Sequence, residues 1–494
     1  MIQPDFREFK KLARTGTLIA VSKTIPADLE TPVSCFLKLA GSQPNAFLLE
    51  SAEQGEKNGR YSLIGLEPDE ILSAASGRVT LKQGRRSRAL PGDRSVQQIM
   101  RERLACCKLA NPGALAAFSG GYVGYFSYEN VVQFEDIRLR DLPQGPRVPE
   151  TLFFLTREYV IFDHFRKTLS FVYIAPVPEK SPKLKSAYRA ALRRIETRSR
   201  MLNRPLRLSR ERPKSSGGEN FRSNMKPLNF SVKVRKIKNY IRAGDCIQVV
   251  LSQRFRIAKV AEDFQVYRAL RSINPSPYMF YFRAGKVRLI GSSPEMLVRK
   301  SGRDAELRPI AGTRPRGRDA QEDLRHEEHL KKSPKEMAEH LMLVDLGRND
   351  LGRVCEFKSV QVRQFARVER YSHVMHLVSD VAGRLRRGKD AFDLLKAVFP
   401  AGTVTGAPKI RAMQIINELE PETRGPYAGA LGYFSFTGDM DMCITIRTLV
   451  QDARNLFIQA GAGVVKDSSP EREYAETISK AKALFKAVRM RGEY

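Results

Sequence analysis

The chain has 494 residues, 42% of them hydrophobic and 28% charged, with a formal net charge of +31. No apolar run approaches the roughly 18 residues that a membrane helix needs, so the composition excludes a helical membrane protein and calls for a globular one, in one large domain or two. The opening residues, MIQPDFREFKKLARTG, carry neither the apolar core and cleavage site of a secretory signal nor an Arg/Ser-rich transit pattern, and the cytoplasm is the expectation.

Residues 1–180 alternate short apolar runs with turn residues, as in AFLLES, GRYSLIGLEP, GGYVGYFSYE, LFFLTREYVIFDH and LSFVYIAPV. β-Branched and aromatic content between Gly/Pro boundaries predicts strands, with helices at 30–41 and 94–109. From Lys183 to Lys214 there are twelve Lys/Arg against Glu196 and Glu211, about a third of the excess charge, leading into Ser215-Ser216-Gly217-Gly218. That stretch reads as a solvated helix and linker, 181–220, between a first region, 1–180, and a second, 221–494. A basic surface suits an acidic substrate or a polyanion, but no helix-turn-helix, zinc finger or RNA-binding aromatic strand accompanies it. A plain basic surface is therefore preferred to nucleic-acid recognition.

Beyond the linker a helical period covers 232–242, CIQVVLSQRFRI reads as a strand, DFQVYRALRSI as a helix, and YMFYFRAG with VRLIGSSPE as a hairpin. Helices are predicted at 334–346, 390–398, 408–419 and 471–490, and strands at 429–436, 441–450 and 455–460. Strands arriving in hairpins, not strictly alternating with helices, point to an α+β fold with large, mostly antiparallel sheets in a sandwich flanked by helices. The six cysteines show no CxxC spacing, so neither a zinc site nor a disulfide framework is expected.

Two helices carry unusual acidic edges. In SPKEMAEHLMLVDLGRND, Ser333 and Pro334 mark a helix start with Glu336 as a possible capping-box partner. Glu339, one turn further on, shares its face, opposite Met337, Leu341 and Val344. In SPEREYAETISKAKALF, Glu473, Glu476 and Lys480 project from one side and Tyr474, Ile478, Ala481 and Phe485 from the other. Each helix alone is a solvated face. If the edges meet, four carboxylates converge and need protons or a cation, and oxygen donors without cysteine select Mg²⁺.

The glycine stretches AGTVTGAPK and AGAGVVKDSSP fail both the P-loop and the dinucleotide patterns, which disfavours nucleotide binding. They offer loop backbone amides near helix starts, suited to carboxylate or phosphate. Arg447 in CITIRTL lies on a predicted strand among apolar neighbours, where either a clamp on a substrate carboxylate or a structural ion pair would account for it. His373 and His376, three apart on a predicted strand, face opposite ways, and a lone histidine there is as readily a satisfied core residue.

Taken jointly and in order, LLES, GRYSLIG, GGYVGYFSYE, AGDCIQVVLSQRF, NPSPYMFYF, IGSSPEMLVR, RPIAGTRPRG, AEHLMLVDLGRNDLGRV, PAGTVTGAPKIRAMQII, ITIRTL, QAGAGVV and SPEREYAETISKA resemble the chorismate-utilising enzymes, in particular their anthranilate synthase component I branch. The resemblance spans nearly the whole chain apart from the basic stretch. It implies a lyase of tryptophan biosynthesis that adds ammonia at ring C2 of chorismate with loss of the C4 hydroxyl, then eliminates pyruvate. It further implies Glu339 and Glu476 as Mg²⁺ ligands with Glu336 and Glu473 behind them, and Glu295 as the acid for the leaving hydroxyl. His376 would serve the elimination; Thr403, Gly312 and Thr313 would line the site. Tyr427, Arg447, Gly461, Ala462 and Gly463 would hold the enolpyruvyl carboxylate, and Lys480 would balance charge near the metal.

Gln248, where water-using relatives place a lysine, and Ala311, where aminodeoxychorismate synthases place one, favour the ammonia-using, anthranilate-forming branch. Glu50 and Ser51, with Asn274, Pro275, Ser276, Pro277, Tyr278 and Met279, resemble a tryptophan feedback pocket. No glutaminase motif is present, so ammonia would come from solution or from a glutamine amidotransferase subunit, in a heterotetramer. The rival class is a basic nucleic-acid-binding protein on an inactive synthase scaffold; the intact set of Glu295, His376, Arg447 and the four carboxylates argues against it.

Overall fold

The computed structural model describes residues 2–51, 59–92, 94–115, 118–178, 183–206, 221–370 and 374–493. Among these, the strands form one sheet of 13 strands and a second of 12, and every strand pairing is antiparallel. The α+β sandwich expected from the hairpin pattern is what forms.

Each sheet is built half from the first region and half from the second. In the larger sheet the two halves join where Asn45–Glu50 pairs with Tyr278–Ala284, Glu50 opposite Met279. In the smaller, Gly121–Phe126 pairs with Ala430–Ser435, Tyr125 opposite Leu431. Alternation along these strands sends one set of side chains between the sheets, where Phe154 stacks on Phe282 at 4.5 Å amid Phe47, Val123, Tyr125 and Phe280. Each such fully buried aromatic contributes roughly 1.5–3 kcal/mol. The outer face of the larger sheet packs against helices Pro32–Ala40, Asp263–Ile273 and Pro470–Arg489, that of the smaller against Val96–Ala105, Pro334–Gly352 and Ala391–Val398.

Several sequence expectations need correction. The basic helix, Leu184–Met201, is not merely solvated: Leu184, Ala191 and Ile195 are buried against the larger sheet, and Arg194 and Arg198 pair with Glu158. Residues 207–214 of the basic stretch, and His373, lie outside the described residues. Leu341 is 48% exposed, so the buried face of its helix runs through His340, Leu343, Val344 and Gly347 instead. Ser333 caps that helix by accepting from the Glu336 amide, with no reciprocal bond from the Glu336 side chain to close a capping box. The expected single strand 441–450 is two, Met440–Ile444 in the smaller sheet and Thr448–Gln451 in the larger. The stretch Gly461–Gly463 is not a loop; it lies within strand Asn455–Val464.

Candidate active site

Strands, helices and connecting turns of both sheets bring the candidate residues together. Strand Gln248–Ala258 pairs with Asn455–Val464, placing Ser252 opposite Gly461, Leu251 opposite Ala462 and Val250 opposite Gly463. On its other edge, Asn455–Val464 is paired with Thr448–Gln451 only over Leu456–Ile458, so among the described residues no strand covers the edge from Gln459 onward. The backbone groups of that edge are left to side-chain partners, as the Gly461 carbonyl is to Lys480. Glycine is needed there because a Cβ on Gly461 would sit 2.8 Å from the Tyr427 hydroxyl, and one on Gly463 would sit 2.5 Å from Gln248 Nε2.

The uncovered edge exists because the chain leaves one sheet at Ile444 and enters the other at Thr448. Arg447 is in that crossing, at φ +50°. The left-handed backbone is strained for a side chain of this size and is held by the sheets on either side. Among the described residues no carboxylate pairs with Arg447. Among the described residues the one hydrogen bond of its guanidinium goes to the Lys480 carbonyl, at 3.5 Å, while its own carbonyl accepts from the Ser292 amide at 3.1 Å. Burial pulls its pKa down, which only Tyr427 and Glu476 oppose. Of the two readings open from the sequence, the structural ion pair is not found among the described residues.

Helix Pro470–Arg489 runs beside this edge. Lys480 Nζ bonds Glu476 Oε1 at 2.7 Å, one turn back, and the Gly461 carbonyl at 3.0 Å. Glu473 is buried near Ser468, and Glu476 is more exposed. From the other sheet, helix Pro334–Gly352 brings Glu339, whose carboxyl is raised first by burial, then by Glu336, with Glu476 adding to it and Lys480 opposing. The two acidic edges therefore face each other closely enough to repel. Among the described residues no group of three or more His, Cys, Asp or Glu side chains is drawn together tightly enough to enclose a metal ion. Two opposed carboxylates, one of them desolvated, suit Mg²⁺, which binds through one or two carboxylates and keeps waters for a substrate.

The opposite wall is strand Ile310–Pro315 against Val374–Arg384. A register shift between Ala311 and Thr313, with Gly312 at φ +61°, sets Thr313 opposite His376. Gly312 also makes room for the first acidic helix, since a Cβ there would lie 3.1 Å from Glu336 Oε2. His376 Nδ1 donates to the Gly312 carbonyl at 2.9 Å, with Thr313 Oγ1 3.1 Å away. That bond defines the tautomer and puts the ring lone pair on Nε2. Burial, with Arg447 assisting and the Gly312 bond and Glu369 opposing, lowers the His376 pKa.

Glu295 follows strand Val287–Ser293 and is 8% exposed. Burial pushes its pKa up to about 8, against the weaker pull of Thr403 and Lys480, so the carboxyl keeps its proton at neutral pH. Thr403 sits on the short helical turn Gly402–Val404, pressed on Leu346 of the first acidic helix: a Cβ on Gly402 would lie 1.8 Å from Leu346 Cδ2. Its buried hydroxyl is turned to Glu295 without completing a well-formed hydrogen bond, and among the described residues Gln248 Oε1 is buried without a partner.

Glu420 and Arg424 are not distinguished by sequence pattern. Arg424, 2% exposed, bonds Glu420, the carbonyls of Val250 and Val404, and lies over the Tyr427 ring at 5.5 Å. It fixes Tyr427, whose hydroxyl meets the Gly461 backbone and whose pKa burial raises to about 12. The sequence signal was present only as an i,i+4 Glu/Arg pair, indistinguishable from a surface one.

A second cluster forms where the sheet halves join. Glu50 is buried and accepts from Tyr267, from Arg271 Nε at 3.1 Å and from Ser62 at 3.4 Å. Its strand neighbour Met279 continues from the turn Asn274–Tyr278, with Ser51 at the strand end. In the turn, Asn274 and Ser276 bond Ser292, while Pro275 and Pro277 are half-buried and Tyr278 bonds Asp441. Sequence-distant residues proposed for one pocket are thus adjacent.

A profile of the chorismate binding enzyme family matches residues 44–486. The chain is 43% identical over 503 residues to anthranilate synthase component 1 of Acetivibrio thermocellus, covering 100% of both chains. It is 45% identical to that of Thermus thermophilus, over 95% of this chain and 97% of the relative. The crystal structure of anthranilate synthase component I from Streptococcus pneumoniae TIGR4 superposes with a TM-score of 0.76 at 34% identity, over 93% of this chain and 98% of that one.

Proposed function

The chain belongs to the chorismate-binding enzyme family, in its anthranilate synthase component 1 branch, and from that premise we propose that the cleft between the two acidic helices converts chorismate and ammonia to anthranilate and pyruvate. The observation that carries the reading is Arg447, a guanidinium without a carboxylate partner among the described residues, placed between His376 and the Glu476–Lys480 pair.

Arg447, Tyr427 and the uncovered edge at Gly461–Gly463 hold the enolpyruvyl carboxylate; a fork of N–H donors on a carboxylate fixes orientation as well as charge. Glu295, protonated, donates to the C4 hydroxyl as it leaves. Ammonia adds at C2, and Gln248 Oε1, buried and unpartnered among the described residues, would accept from its N–H. His376 then takes the C2 proton on Nε2 as pyruvate departs, its ring oriented by Gly312. Glu339 and Glu476 would hold Mg²⁺, backed by Glu336 and Glu473, and the ion would supply positive charge for the ring carboxylate.

Three further parts of the reading rest on the family. A glutamine amidotransferase subunit supplies ammonia in a heterotetramer. L-Tryptophan binds at Glu50, Ser51 and residues 274–279 as feedback inhibitor, supported by the adjacency of those segments. No helix among the described residues is long and apolar enough to cross a membrane, and the enzyme works in the cytoplasm. Incubation with chorismate, Mg²⁺ and ammonium should develop anthranilate fluorescence; isochorismate or a 4-amino product would overturn the reading.

A further inference from the structure

A cavity of about 700 Å³ opens at the end of strand Gln248–Ala258 away from Gln248, and its basic lining is all arginine: Arg147, Arg222, Arg254, Arg256 and Arg454, with no lysine. Its two carboxylates are already committed. Asp452 accepts from the backbone amides of Arg147, Arg454 and Asn455. Glu422 accepts from Arg254 Nη1 at 2.5 Å.

Arg254 is buried and multiply bonded: it also bonds Gln459, at 3.0 and 2.8 Å, and the carbonyl of Thr423. Gly145 leaves it space, since a Cβ there would lie 2.3 Å from Nη1. The four outer guanidiniums are exposed, and among the described residues none forms an ion pair. Two of them, Arg222 and Arg256, are direct cross-strand partners. Like charges set opposite each other in a ladder destabilise it unless something neutralises them. A concave site of this size is in the range that encloses a small molecule. Planar guanidinium forks, more than lysine, match phosphate and carboxylate groups.

We propose that this arginine-lined cavity is a binding site for a small polyanion carrying two or more phosphate or carboxylate groups, separate from the chorismate cleft. Binding brings the anion between Arg222 and Arg256 and relieves their repulsion.

The test is isothermal titration of the full chain with inorganic pyrophosphate, and in parallel with citrate, at physiological ionic strength. Saturable one-to-one binding is expected, weakened about tenfold or more by Arg256→Gln with Arg454→Gln, in line with loss of charge-assisted bonds. Arg189→Gln with Arg193→Gln removes equal charge from the exposed face of helix Leu184–Met201 and should leave the binding unchanged. Preference for pyrophosphate or for citrate assigns the phosphate or the carboxylate class. The proposal is overturned if neither anion gives saturable binding, if both variant pairs weaken it equally, or if the cavity variants lose only an acidic protein partner.

Discussion

Lys480 lies between Glu476 and Gly461, its ammonium 2.7 Å from the carboxylate and 3.0 Å from the carbonyl. Glu476 is thereby partly neutralised from its own helix, whereas Glu339 across the cleft has no such partner among the described residues and is raised by burial, Glu336 and Glu476. Glu339→Gln should therefore remove a repulsion in metal-free protein and raise its melting temperature slightly, on the order of 1 °C. Added Mg²⁺ should stabilise the unmodified chain and not this variant, nor Glu476→Gln. Calorimetry reads both effects without turnover, and an unchanged Mg²⁺ response in the two variants would sink the ligand assignment.

The proton on Glu295 sets an alkaline limit. With its pKa raised to about 8, the acid form is fully present at lower pH and is lost as pH rises through that value. The kcat profile should fall with a midpoint near pH 8, and Glu295→Gln should remove both the limb and nearly all turnover. An acidic midpoint near the ordinary carboxylate range would show that the native carboxyl is ionised during catalysis.

Arg447→Lys keeps the charge and loses the fork. Losing one arm of a bidentate contact costs roughly 1–3 kcal/mol, so kcat/KM for chorismate should drop about 10- to 100-fold. Steady-state kinetics decides it, and a variant with native kcat/KM would remove Arg447 from the carboxylate site.

Glu420 and Arg424 form a pair with side chains only 3% and 2% exposed, and Glu420 also accepts from the Ser252 amide and hydroxyl. Arg424→Met leaves a buried carboxylate without its cation, a loss of about 3–5 kcal/mol. Replacing Glu420 by Gln in the same chain should recover part of it, because the amide is uncharged. Urea denaturation measures both, and a single variant within 1 kcal/mol of native, on the scale of about 1.4 kcal/mol per tenfold in the equilibrium constant, would contradict the burial argument.

Much of this molecule was written locally. Alternation and turn residues marked the strands, and the Ser-Pro starts at 333 and 469 marked both acidic helices, because caps and periodicity depend on neighbours a few residues away. The motifs carried the family. Local pattern could not say that Leu341 faces solvent while His340 enters the core to meet Ser379 at 2.6 Å, since both lie near one helical stripe and only the sheet beside them chooses.

What tertiary structure alone decided are the meetings across long sequence separations. The break at residues 445–447 looks like continuous strand because its residues are β-formers, yet the two sheets claim its ends separately and leave Arg447 in the crossing. Glu339 and Glu476 are 137 positions apart, and each helix edge alone is an ordinary solvated face. Only packing on opposite sheets turns two such edges toward each other, and only burial there raises a carboxyl like Glu295 into the range where it can act as an acid.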